Sequence, residues 1–117
     1  MRLTSLLFLT FCACATTQAL HTETTSAAIR SAEEIGAAGV PEAALHLQLA
    51  KEEMETAHAL NAEGNAEQAS SWLLRAEADA ELALALSRAD KDAVEARAAM
   101  ERVRTLRAQN PYSGDKK

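Results

Sequence analysis

From Pro41 onward, alanine and leucine recur at helical spacing. Ala43, Leu47, Ala50, Met54 and Ala57 follow steps of four and three, and Leu45 and Leu49 widen the stripe. Such steps keep side chains on one face of an α-helix. The pattern predicts a helix over about 41–62, with Pro41 in the first turn, where a missing N–H costs nothing. Glu63-Gly64-Asn65 reads as a turn, with Gly64 supplying a left-handed cap. The next stripe, Ala69, Leu73, Ala76, Ala80 and Ala83, repeats the same steps. Two striped helices joined by a short turn form an antiparallel hairpin. Upstream, Ala28, Ala32 and Ile35 predict a short helix over about 25–37, with Thr24, Thr25 or Ser26 as its N-cap. Gly36, Gly39 and Pro41 end it.

No glycine or proline occurs between Asn65 and Asn110, so one long helix over about 65–109 is the simplest reading, stopped by Asn110-Pro111. Its stripe shifts part-way. Leu82, Leu86, Ala89, Ala93, Ala96, Met100 and Val103 form a second line, roughly 140° around the helix from the first. Either the helix breaks near residues 87–92, or one continuous helix packs on two faces. The N-terminal helix or a second copy would then cover the later face. The fold class is all-α: an antiparallel hairpin with a short N-terminal helix and a long, partly coiled-coil-like C-terminal helix. The turn is like that of a tetratricopeptide repeat, with Gly64-Asn65, Ala69, Leu73 and Ala76 at matching places, but no further copy follows at that period.

Composition agrees. Aromatic residues are 3% of the chain, and glycine and proline number only 4 and 2. The core must therefore be largely alanine and leucine. Charge is uneven. Between Glu23 and Glu81 only Arg30, Lys51 and Arg75 oppose many acids, whereas bases prevail from Arg88 onward. A basic C-terminal tip including Arg97, Arg104 and Arg107 suits the helix dipole, and it also suits an anionic surface. Net charge −5 and scarce aromatics argue against nucleic-acid binding.

The first residues change the picture. Arg2 precedes the apolar run Leu6-Leu7-Phe8-Leu9-Thr10-Phe11, too short to span a bilayer permanently, as in a secretory signal. Phe11-Cys12-Ala13-Cys14 resembles a bacterial lipobox, with small Ala13 before Cys14. This implies a signal peptide over 1–13, an acylated Cys14, and a tether over 14–22 leading to a helical domain over 23–110 and a disordered tail over 111–117. Cleavage after Ala19, giving a soluble periplasmic binding module for a small ligand or cation, is the alternative. A metal or redox Cys-x-Cys site would need further ligands, and none is near. Acyl chains at about 0.8 kcal/mol per buried CH₂ would hold Cys14 in a bilayer. In lipoproteins of Gram-negative bacteria, Ala15 rather than Asp after the cysteine implies the outer membrane.

Residues 41–53 (PEAALHLQLAKEE), the turn Glu63-Gly64-Asn65, and residues 75–86 (RAEADAELALAL) resemble the small alanine-rich bacterial lipoproteins of domain of unknown function family 4398. The resemblance covers about residues 25–105. It implies an envelope lipoprotein and transfers no catalytic residue. Some relatives carry a C-terminal peptidoglycan-binding domain; none is expected here, so wall binding does not carry over from the resemblance.

Candidate chemistry is sparse. His46 and His58 are too far apart for one metal, and His21 falls in the tether. Glu52, Glu53 and Glu55 form an acidic patch able to bind a divalent cation weakly, and read more simply as a solvated face. Arg75 and Asp79 form an i,i+4 pair. Ser70 and Ser71 have no activating base at a suitable spacing. The expectation is a protein with no catalytic residue, metal, cofactor or small-molecule substrate. It acts as a helical adaptor on the periplasmic face of the outer membrane. It would meet the membrane through Cys14, and an unidentified envelope protein or itself through Trp72, Leu82, Leu86, Met100, Val103, Arg97, Arg104 and Arg107. Trp72 also reads as a core residue sealing the open end of the hairpin.

Overall fold

The computed structural model describes the backbone of residues 14–110 and the side-chain environments of 21–110. The expected signal peptide over 1–13 and tail over 111–117 lie outside these residues. Among them, the chain forms α1 (Cys14–Ile35), a short 3₁₀ turn (Ala37–Gly39), α2 (Pro41–Ala62) and α3 (Ala66–Gln109).

The first helix starts earlier than its sequence signals indicate. Residues 14–22 are helical, and α1 is as long as α2, at 22 residues each. Thr24, Thr25 and Ser26 are therefore interior positions, not caps. Their hydroxyls donate one turn back: Thr24 and Thr25 to the His21 carbonyl at 3.0 and 2.7 Å, Ser26 to that of Thr22 at 2.8 Å. A hydroxyl that satisfies a helix's own carbonyl no longer competes with the helix. No glycine or proline interrupts the segment. The helix ends at Ile35 because Gly36 turns left-handed, at φ 91°. Val40 is extended, as a residue before proline prefers, and Pro41 opens α2.

The second turn matches its signal. Gly64 has φ 83°, its N–H donates to Asn61 O at 3.0 Å, and the Asn65 N–H donates to Leu60 O at 2.9 Å. These two bonds are the Schellman pattern, which satisfies carbonyls at the end of α2. From there α3 runs unbroken for 44 residues, roughly 66 Å at 1.5 Å per residue. There is no break at 87–92.

The helices run up, down and up, with α1 parallel to α3. Thr25 reaches the Leu73 carbonyl at 3.2 Å, while Lys51 pairs with Glu33 and His46 with Asp79. α1 leans on α3 more than on α2. Among the described residues, only Ile29, Leu47 and Leu73 of the buried hydrophobics are larger than alanine. Alanine stripes let the backbones approach closely but bury little area per residue. Ala43, Leu47, Ala50 and Ala57 of α2 and Ala69, Leu73, Ala76, Ala80 and Ala83 of α3 are all buried, as the stripes predict.

Leu45 and Leu49, expected to widen the α2 stripe, are exposed. Each lies two residues from Leu47, roughly 160° around the helix, and so faces away from α3. The buried α3 stripe ends at Ser87, whose hydroxyl donates to Ala83 O at 2.8 Å. Beyond it every described residue of α3 is exposed. The first helix therefore does not cover the later apolar face, because it packs alongside the half of α3 that holds Leu73 to Ala83.

Candidate functional site

Two features stand out on this frame: a buried carboxylate between α2 and α3, and the uncovered half of α3.

Glu53 reads as part of a solvated acidic run, yet it is only 6% exposed. It follows Ala50 by three residues and precedes Ala57 by four, so it belongs to the buried stripe. Its Oε1 meets the Arg75 guanidinium at 3.0 Å, and its Oε2 has no hydrogen-bond partner. Burial pushes the Glu53 carboxyl above its ordinary value, Asp79 pushes it the same way, and Arg75 offsets this only in part. Arg75 is thus drawn to Glu53, not to Asp79 one turn along its own helix. Asp79 instead accepts from, or shares a proton with, His46 Nδ1 at 2.7 Å. His46 is a half-buried link between α2 and α3.

Arg75 also lies over the Trp72 ring, with Cζ 4.6 Å from its centroid. A guanidinium between an indole face and a carboxylate is favourable on both sides. Trp72 is half-buried under this lid, about 40 Å along the helix from Met100 at 1.5 Å per residue. It therefore belongs to the bundle and is separated from the expected interaction residues of the free half of α3. The cluster can hold a proton and pin α2 to α3. Its groups engage one another, and among the described residues no three histidines, cysteines or acids are arranged to hold a metal ion.

Beyond Ser87, α3 projects as a single helix. Val94, Met100, Val103 and Leu106 are 53, 61, 45 and 63% exposed. Leu82 is also exposed, whereas Leu86 is half-buried against the bundle core, so the second stripe starts at the bundle and leaves it. Arg97 Nε donates to Ala93 O at 3.1 Å and Arg104 pairs with Glu101 at 3.4 Å, both on their own helix. Arg107 lies in the last turn. Arg97 and Arg104, seven residues apart, flank one side of the apolar line.

Two shallow depressions lie among the described residues. One depression is lined by Thr22, Glu23, Thr24, Ser26, Ala27 and Arg30, all of α1; another by Ala98, Glu101, Arg102, Thr105 and Leu106, all of α3. A hollow formed by one helix offers a ligand no opposing wall. No described helix is long and apolar enough to cross a membrane.

Sequence reasoning found the free face through its stripe. It missed Glu53, whose signal was its three- and four-residue spacing from Ala50 and Ala57. No family model matches the chain, and no curated protein or solved structure matches it.

Proposed function

We propose that this chain is a non-catalytic cell-envelope lipoprotein, held at the periplasmic face of the outer membrane by an acylated Cys14. It works as a helical adaptor that presents the free half of α3. The observation that carries the reading is the helix from Arg88 to Gln109, exposed on all sides yet bearing an unbroken apolar line. A single helix projecting from a small bundle is costly to keep apolar unless that face meets something. The lipobox-like segment and the resemblance to alanine-rich envelope lipoproteins support the anchoring part.

The geometry suits an anchor at one end and a presented surface at the other. α1 and α3 are parallel, so a membrane at Cys14 would leave the free half of α3 pointing away from it. At 1.5 Å per residue the far tip would stand about 70 Å from the anchor.

Metabolic labelling with palmitate tests the anchor. Label is expected in the parent chain and in Cys12→Ser, and none in Cys14→Ser. If no chain takes label and the mature N-terminus is Leu20, the protein is not a lipoprotein and the soluble binding module takes its place.

A further inference from the structure

We infer that the free half of α3 is covered by the same half of a second copy, in a parallel, in-register coiled coil over residues 82–106. This rests on the reading of α3 as the presented surface and names its occupant.

The apolar line has heptad spacing: Leu86, Ala93 and Met100 fall at a positions, and Leu82, Ala89, Ala96 and Val103 at d. In a parallel, in-register pair each layer meets itself. Large residues meet large ones at both ends and alanines meet alanines in the middle. Antiparallel registers that keep a opposite d set Met100 against Ala89, with Leu82 against Arg107, or Leu86 against Ala96. They lose that match.

Charge agrees. In a parallel pair, each g residue faces the e residue five places on in the other helix. Asp92 at g then faces the second copy's Arg97 at e, twice per dimer by symmetry. Of the other g residues, Ala85 faces Asp90 and Ala99 faces Arg104, so no like charges meet at these pairs. No ion pair among the described residues engages Asp92, and the Arg97 guanidinium reaches only its own backbone.

Sterics also permit the pair. The line lies roughly 140° around α3 from the stripe that α1 and α2 cover, so both bundles point outward. The alanine layers bury little area, so the pair is weak in dilute solution. Two chains anchored in one membrane would meet at a high effective concentration.

The test is thiol cross-linking of the full chain in the bacterial envelope. The Ala96→Cys chain should form a covalent dimer, and the Ala98→Cys chain, altered on the outer face, should not; the parent chain sets the background. Asp92→Arg should cut the dimer about tenfold, and adding Arg97→Asp should restore it. Both positions are exposed, so the bundle's melting temperature should not move. No dimer through Ala96→Cys, or rescue by Asp90→Arg with Arg97→Asp in place of the Asp92 pair, overturns the parallel arrangement. A photo-cross-linker at position 96 separates the two readings. An adduct with another protein alone would overturn self-pairing yet keep α3 as a docking surface. No adduct of any kind would remove both.

Discussion

The two halves of α3 share an alanine-rich composition and a three-and-four spacing, yet one is core and the other is surface. Between Ala69 and Ser87 the apolar line is closed over by α1 and α2. Between Arg88 and Gln109 it is open. A stripe predicts that a face is able to be buried, and burial itself requires a partner of sufficient length. The second helix begins at Pro41, and beyond Ser87 no described residue of α3 is covered by α1 or α2. The free half stays helical because the bundle supplies its nucleus and its alanine, glutamate and arginine residues propagate a helix well.

Substitutions should expose this difference. The largest contrast is between Leu73, 3% exposed, and Met100, 61% exposed. Leu73→Ala should cost about 2–5 kcal/mol in chemical denaturation. In monomeric protein Met100→Ala should stay within about 0.5 kcal/mol. Equal losses would mean that the free half is packed in the folded monomer.

A smaller effect tests the turn that aligns α2 with the first half of α3. A Cβ at Gly64 would meet no atom within 4 Å, so Gly64→Ala should suffer only from the left-handed backbone, by about 1–2 kcal/mol. Its thermal midpoint should fall, while helicity at low temperature is retained.

The buried carboxylate gives a pH test confined to the bundled half. Because its folded-state pKa is raised, Glu53 binds its proton more tightly in the folded protein than in the unfolded chain. Its contribution is therefore present at low pH and lost as pH rises from about the ordinary value of 4.5 through the raised folded value. Subtracting the stability profile of Glu53→Gln from that of the parent should leave a difference that falls with pH in this window. A difference that rises would mean that Arg75 outweighs burial and Asp79.

The smallest expected effect comes from shortening the chain. Ending it after Asp92 should change the bundle's melting temperature by no more than a few degrees, since every described residue removed is exposed. In the full chain, amides near Met100 should exchange with solvent much faster than those near Ala80. Similar protection at both places in dilute monomer would contradict the exposed helix.

The sequence by itself determined the all-α class, the bounds of α2, the turn at Gly64, the buried alanines of α2 and α3, and the existence of an apolar line past Leu82. Each is a local matter of spacing, proline geometry or a left-handed glycine, and each is legible in a few neighbouring residues. Other features depended on what stands opposite. Thr25 and Ile29 join the core because α1 lies against α3, and Glu53 is buried because its stripe position meets Arg75 across the hairpin. Leu45 and Leu49 are left to solvent. Arg75 turns from Asp79 to Glu53 and Trp72, and His46 takes Asp79. Periodicity specifies a face; only the tertiary structure decides which faces find partners, because desolvation and pairing energies depend on the element across the gap.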